Sequence, residues 1–150
     1  MRQIHKLIIQ RGAKRLALTA LLALFFFWQV NHLGGFAWNY DEGVYLMQSW
    51  AVQSGYRLYS EVYHDHLPAF VNSIALAFAL GGTSVTTGRA LMVLYATIGL
   101  VAVALIAQEL EGNLAGLAAA ALLAITPDFY LWSRAVMADL PSASLVALAM

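Results

Sequence analysis

The amino-acid sequence predicts an all-α, polytopic transmembrane protein, and three of its features support that prediction. Hydrophobic residues make up 61% and charged residues 11% of the 150 residues, whereas soluble domains contain about 45–50% and about 25%. Several segments beyond residue 15 are apolar and as long as membrane-spanning or interfacial helices. The charged residues are concentrated in a basic N-terminus and one loop. Such a chain has too little charge to cover a surface that faces water.

The first apolar segment, about residues 16–33, is predicted to span the membrane. Five of the eight Lys and Arg residues lie within the first fifteen positions. Basic residues before a first span hold that end in the cytoplasm, so the next loop is expected outside. A cleaved signal peptide is the alternative, because Gly35, Phe36 and Ala37 offer small residues at the spacing of a cleavage site. The sidedness of the loop is the same in both cases.

Residues 34–67 form the predicted outer loop, which is the one long polar stretch of the sequence. Within it, residues 43–54 are predicted to form an amphipathic helix, because Leu46, Met47 and Trp50 share one face. A helix of about a dozen residues is too short to cross a membrane. It is therefore expected to lie at the membrane surface.

Residues 69–80 are predicted to form an interfacial helix rather than a span. They are bounded by Pro68 and by two glycines, and about 12 apolar residues are too few to cross a membrane. This choice determines on which face of the membrane the later loops lie. If 69–80 stays at the outer surface, Asp139 emerges on the same face as Asp41, and if it spans, the two lie on opposite faces.

Three further spans are expected at 89–107, 114–132 and 140–150. The second reaches the required length only by running past Pro127. The third is cut short at Met150, so we expect the chain to be the N-terminal piece of a larger protein.

The composition excludes several functions. Formal net charge is zero, which argues against a nucleic-acid partner. The absence of cysteine excludes disulfides, thiolate metal sites and cysteine nucleophiles. The sequence contains no P-loop, GxGxxG, GxSxG or HExxH motif.

Two adjacent carboxylates, Asp41 and Glu42, stand near the start of the surface helix, where the helix dipole favours negative charge. Capping of the helix in a solvated loop is one interpretation. The other is a general base at the membrane face.

A short run places His64, Asp65 and His66 in succession. Histidine and aspartate bind zinc, so a divalent metal is one interpretation. Adjacent side chains diverge in an extended chain, however, and no other His or Cys cluster supplies further ligands. A phosphate-facing or structural role is favoured, and no metal ligand is assigned.

Arg89, Arg134 and Asp139 stand at the boundaries of later apolar segments. Arg89 can extend its head group to the interface or hold a lipid phosphate with its guanidinium fork. Arg134 and Asp139 are five residues apart, which is the wrong spacing for a helical ion pair. Interfacial anchoring by Arg134 and N-capping by Asp139 before Pro141 explain both residues, and such a cap also gives the carboxylate a fixed orientation.

Together these pieces resemble the N-terminal part of the GT-C glycosyltransferases, above all the protein O-mannosyltransferase and lipid A aminoarabinose transferase group and its bacterial relatives. The resemblance covers almost the whole chain and begins with the basic N-terminus and first span. The motifs that follow in order are Asp41-Glu42-Gly43-Val44-Tyr45, Gly55-Tyr56-Arg57-Leu58-Tyr59, His64-Asp65-His66-Leu67-Pro68, Gly81-Gly82 with Arg89, and Arg134 with Asp139. Relatives often carry Lys-Pro or Pro-Pro at His66-Leu67-Pro68, so a lysine contact with phosphate is not carried over.

The resemblance implies a multi-pass enzyme of the prokaryotic plasma (inner) membrane, with a cytoplasmic N-terminus. It would move a hexose or pentose from a polyprenyl-phosphate donor to a hydroxyl of a glycan, lipid or protein acceptor on the outer face, with inversion. Asp41 is implied as the general base, with Glu42 beside it and Asp139 as the second acid of the same site. The isolated piece is expected to be inactive.

The remaining implied roles concern the substrates. Arg89, Arg134 or His66 would stabilise the departing lipid phosphate. Tyr45, His64 and Asp65 complete the expected substrate-binding set, and Tyr45 with Trp50 would pack against sugar or lipid.

Two other functions fit the composition. A transporter normally places ionisable groups inside its spans, whereas the acids here gather at segment boundaries, which favours the transferase. A non-catalytic membrane anchor or assembly protein is the third hypothesis. It predicts that Asp41→Asn leaves sugar transfer intact.

Overall fold

The computed structural model describes residues 2–35 and 40–150, and all regular structure within them is helical apart from one isolated bridge between Leu58 and Val62. The elements are α1 (Arg2–Asn31), a 3-10 turn (Leu33–Gly35), α2 (Tyr40–Gln53), α3 (Ala69–Gly81), α4 (Val85–Glu111), α5 (Asn113–Ile125), α6 (Pro127–Trp132) and α7 (Asp139–Ala149). The predicted all-α fold class is confirmed for the described residues.

α4 is the central helix of the bundle. Its 27 residues give a length of about 40 Å at the usual rise of an α-helix. α5 and α7 pack along it, and α1 packs against both α4 and α5. Two stretches in the described part of the chain, Gly12–Asn31 and Val85–Glu111, are long and apolar enough to cross a membrane.

Glycines allow the neighbouring helices to approach α4 closely. A Cβ atom on Gly116 of α5 would lie 2.6 Å from the backbone oxygen of Ala104, and one on Gly99 of α4 would lie 2.6 Å from the Ser144 hydroxyl of α7. Such contacts between small residues are a usual means by which apolar helices pack in a membrane.

The bundle has two distinct ends, and the predicted site residues gather at one of them, which we call the site end. The Leu33 carbonyl after α1 accepts a hydrogen bond from Arg89 near the start of α4. The Val136 N–H before α7 donates to Glu42 in α2. The end of α1 and the beginnings of α2, α4 and α7 therefore meet here.

α3 lies across the site end. Its first residues, Ala69 and Phe70, share a cavity with Asp139, and Thr83, just beyond its last residue, donates to Gln53 at the end of α2. Because both of its ends lie at the site end, α3 does not carry the chain to the opposite end of the bundle.

Two buried clusters support this arrangement. The cluster beneath α2 and α3 consists of Leu46, Ile74, Phe78, Met92 and Val136. The second cluster, between α1, α4 and α5, consists of Phe25, Ala96, Leu100 and Ala124.

Some helix boundaries differ from the sequence prediction. α2 begins at Tyr40 instead of residue 43, which places Asp41 and Glu42 inside its first turn. α4 begins at Val85 instead of residue 89, because the Ser84 hydroxyl accepts the Thr87 N–H at 3.0 Å and caps the helix. α3 follows its predicted range to within one residue.

The segment 114–132 is not the single helix that the sequence predicts. Thr126 separates α5 from α6 and has a ψ of 124°, an extended conformation that the following proline favours. Pro127 then occupies the first turn of α6, where a proline is tolerated because its missing N–H has no helical partner. The correction leaves α5 with 13 residues.

Candidate active site

Tyr45 lies at the centre of the site end, one turn after Asp41 in α2. Its ring centroid is 5.1 Å from that of Phe70, 6.4 Å from that of His66 and 6.5 Å from that of His64. Edge-on and tilted contacts of this kind are favourable between aromatic rings. Tyr45 thus joins α2 to the start of α3 and to the loop between them.

Three carboxylates converge on Tyr45. Burial, and then the negative charges of Asp41, Asp65 and Asp139, raise the pKa of Tyr45 above its ordinary value of 10.0. Because electrostatic influence falls with distance, each of these acids, from α2, the loop and α7, lies near enough to Tyr45 to act on its phenol. Asp41 and Asp139 therefore both lie in the neighbourhood of Tyr45, although 98 positions separate them in the sequence.

The loop of residues 54–68, here called the histidine loop, is attached to α2 through Gln48. The Gln48 Nε2 donates to the Tyr63 carbonyl at 2.8 Å, and its Oε1 accepts from His64 Nδ1 at 3.1 Å. The Tyr59 hydroxyl donates to the His66 carbonyl at 2.7 Å. The two bonds of Gln48 hold the loop against the helix that carries Asp41, and the Tyr59 bond links two parts of the loop to each other.

The two loop histidines have different surroundings. His64 is buried, with its Nε2 3.4 Å from the Leu67 carbonyl within the loop. The His66 side chain is 55% exposed, and its Nε2 lies 3.8 Å from a carboxylate oxygen of Asp65. His66 is thus the ring that can reach a ligand.

A cavity of about 790 Å³ opens between the histidine loop, α3 and α7. Its lining consists of Asp65, His66, Leu67, Ala69, Phe70, Ala138, Asp139 and Ser142. Asp139 occupies the first turn of α7 and is exposed. The cavity therefore combines two carboxylates and an imidazole with apolar walls.

Glu42 and Arg89, which the sequence predicts at the reacting groups, lie in the interior of the site end and outside the cavity lining. Glu42 is fully buried and Arg89 is 4% exposed. Arg89 donates from Nε to Oε1 of Glu42 at 2.8 Å and from Nη2 to Oε2 at 2.7 Å. Neither residue lines the cavity. Glu42 and Arg89 therefore face each other, and not the cavity, in this structure.

Arg134 is also buried, at 5% exposure. Its Nη1 donates to the His32 carbonyl at 2.9 Å, and its guanidinium lies 5.1 Å from the centroid of the Tyr130 ring. Its Nε has no hydrogen-bond partner among the described residues. Arg134 therefore fastens the end of α1 to α6 and is not a residue of the cavity lining.

The sequence did not indicate the roles of Gln48, Phe70 and Gln29. Gln48 attaches the histidine loop, Phe70 packs against Tyr45, and the buried Gln29 donates to the Ser133 hydroxyl at 2.6 Å. The available signal was modest, namely a lone glutamine within an apolar first span and another beside Tyr45 on the helix surface.

Trp50 lies on another side of α2. It is 47% exposed and lines an apolar groove of about 940 Å³ together with Met47, Phe78 and Val85. It does not share the cavity of Asp139.

Among the side chains that the structure describes, in residues 12–34 and 40–150, no three of His, Cys, Asp or Glu are arranged to hold a metal ion.

A family model described as dolichyl-phosphate-mannose-protein mannosyltransferase matches residues 65–150 of the chain. The matched region contains Asp65, His66 and Asp139 of the cavity, while Asp41 and Tyr45 precede it. No curated protein and no solved structure matches the chain.

Proposed function

The chain belongs to the dolichyl-phosphate-mannose-protein mannosyltransferase family, and on that premise we propose that it transfers a sugar from a polyprenyl-phosphate donor to an acceptor hydroxyl at the outer face of the membrane, with Asp41 as general base. The observation that carries the proposal is the cavity lined by Asp65, His66 and Asp139, whose His66 and Phe70 rings pack against Tyr45 of the helix that carries Asp41.

The membrane placement follows from the lengths of the helices. α1 and α4 cross the membrane, and the α5–α6 segment returns the chain to the site end. α2 and α3 lie at the surface, where helices of 14 and 13 residues suffice. With the basic N-terminus in the cytoplasm, the site end faces outward. Nucleotide sugars are cytoplasmic, so an outward site requires a membrane-borne donor.

The reaction is a displacement at the anomeric carbon. Asp41 accepts the proton of the acceptor hydroxyl while its oxygen forms the new bond to that carbon. The bond between the anomeric carbon and the phosphate oxygen breaks, and the phosphate leaves with the electron pair as polyprenyl phosphate. A single displacement of this kind inverts the anomeric configuration.

The other cavity residues assist the departure and the binding. His66 donates a ring N–H to the leaving phosphate, where charge develops, and a carboxylate oxygen of Asp65 lies 3.8 Å from its ring nitrogen. Asp139 and Tyr45 bind sugar or acceptor hydroxyls. The apolar walls from Leu67 and Phe70 contact the first isoprene unit.

The test is the variant Asp41→Asn in the membrane-embedded protein, with polyprenyl-phosphate mannose as donor. Loss of a general base lowers the rate by about 10²–10⁴-fold, so kcat is expected to fall by that amount with little change in the donor KM. Asp128→Asn is the matched control, because Asp128 is an exposed carboxylate in the first turn of α6 and does not act on Tyr45.

Asp128→Asn is expected to transfer at the unaltered rate. If Asp41→Asn also does so, with normal membrane insertion, the base assignment fails and the non-catalytic anchor hypothesis is favoured.

A further inference from the structure

Glu42 and Arg89 form a two-pronged ion pair in the interior of the site end. Both nitrogen–oxygen distances are under 3 Å, at 2.8 and 2.7 Å, and both side chains are more than nine-tenths buried. A guanidinium fork on a carboxylate fixes direction as well as distance, because two parallel hydrogen bonds must form at once.

The pair also bonds to two backbone groups from other parts of the chain. Arg89 Nη1 donates to the Leu33 carbonyl at 2.6 Å, and the Val136 N–H donates to Glu42 Oε1 at 3.3 Å. Four segments therefore meet at one ion pair, namely the turn after α1, the start of α2, the start of α4 and the loop before α7.

These contacts lie next to both proposed acidic residues. Asp41 directly precedes Glu42, and Asp139 follows Val136 by three residues. The packing around the pair leaves little freedom, since a Cβ atom on Gly88 would lie 2.6 Å from Leu46 of α2. A shift of the Val136 segment relative to Glu42 would thus change the separation of the two carboxylates.

We propose that Glu42 and Arg89 are positioning residues for sugar transfer, which hold Asp41 and Asp139 in their reactive arrangement through the Val136 backbone. This inference rests on the proposed function for the identity of the two acids. The pair does not touch substrate.

A buried ion pair is well suited to such a role. Taking two charges out of water offsets much of their attraction, so a pair of this kind adds little to net stability. Its contribution is to fix the orientation of the segments that it joins. Replacement of both residues by apolar ones should therefore preserve the helical bundle but lose the alignment of α2 with α7.

The experiment uses three variants of the membrane-embedded protein. In Glu42→Gln, a side-chain NH2 group replaces one carboxylate oxygen. That group must then face an N–H donor, because the carboxylate accepts hydrogen bonds from Arg89 on both oxygens and from the Val136 N–H on one. The double variant Glu42→Met with Arg89→Met removes the pair without leaving an unpaired charge. Gly116→Ala is the matched control, since it strains α4 at the end away from Arg89.

Two readouts are measured. The first is kcat against the donor KM with polyprenyl-phosphate mannose. The second is the distance distribution between spin labels on Met47→Cys in α2 and Ser142→Cys in α7, both exposed, in a chain that contains no other cysteine.

Glu42→Gln and the double variant are expected to lower kcat by about 100-fold, the usual cost of a misplacement near 1 Å, with the donor KM unchanged. The label distribution is expected to broaden in both, while Gly116→Ala leaves kcat and the distribution of the folded protein unaltered. If Glu42→Gln fails to fold, the kcat and the label distribution of the double variant test the inference instead.

An unchanged distribution overturns the inference whatever the activity. A broadened distribution with unaltered kcat also overturns it, provided that Asp41→Asn abolishes transfer. If Asp41→Asn retains transfer, the proposed function fails, whereas the distance result still shows whether the pair aligns α2 with α7.

Discussion

Neighbouring carboxylates at positions 41 and 42 have opposite surroundings. Asp41 is exposed, whereas Glu42 is fully buried against Arg89. Successive residues of an α-helix point about 100° apart, so two adjacent acids in one first turn can serve a site and a core at the same time. Their adjacency in the sequence does not make them a catalytic pair.

The titration of Tyr45 tests the convergence of the acids. Burial, and then the charges of Asp41, Asp65 and Asp139, raise its pKa above the ordinary value of 10.0. We expect Asp139→Asn to lower the pKa of Tyr45, and Asp128→Asn to leave it unaltered. The measurement is phenolate absorbance against pH, as the difference between each protein and its Tyr45→Phe counterpart. An unaltered value in Asp139→Asn would show that α7 does not bring its carboxylate to Tyr45.

The same raised pKa predicts a pH dependence of stability. Above the ordinary pKa of 10.0, the unfolded chain has lost the phenol proton that the folded chain retains. Stability therefore falls as pH rises from that value to the raised pKa. Tyr45→Phe should reduce this alkaline loss in thermal unfolding. An equal loss in both proteins would contradict the prediction.

At the scale of the helices, close packing on α4 is the feature that small residues make possible. A Cβ on Gly116 would meet the backbone of Ala104, which cannot rotate away, so one helix must shift. Overpacking of this kind costs about 1–3 kcal/mol, which outweighs the gain of up to about 1 kcal/mol from replacing a helical glycine. Gly116→Ala is therefore expected to lower the midpoint of thermal unfolding in detergent.

Gly12→Ala is the matched control for that prediction. Gly12 is also helical, in α1, and a Cβ there would meet nothing within 4 Å. Its replacement should leave the midpoint unaltered or raise it. Equal effects of the two substitutions would show that helix propensity, and not the contact with Ala104, determines the outcome.

Across the whole molecule, the formal net charge is zero, but the basic and acidic residues are segregated along the chain. Five of eight basic residues lie in the first fifteen positions, while Asp41, Asp65 and Asp139 all lie near Tyr45 at the site end. Such asymmetry sets the orientation of a membrane protein.

Single cysteines test that orientation, since the chain contains none of its own. Ser60→Cys and Ser142→Cys lie at the site end and Glu111→Cys at the opposite end, all at exposed positions. We expect a membrane-impermeant thiol reagent to label the first two from the outer side and Glu111→Cys from the cytoplasmic side only. Labelling of Ser60→Cys and Ser142→Cys from different sides would exclude a shared site.

The sequence by itself determined the all-α class, most of the helical segments and the candidate acids, because hydrophobic length, periodicity and capping are local properties, but it joined α5 and α6 into one span. It also assigned Pro68 and the glycines after residue 80 as the limits of α3. Only the tertiary structure decided that Glu42 and Arg89, 47 positions apart, form a buried pair, that Arg134 fastens α1 to α6, and that Gln48 holds the histidine loop. Those contacts depend on which segments meet once the chain is folded. The sequence does not show whether a carboxylate or guanidinium group faces a ligand or another side chain.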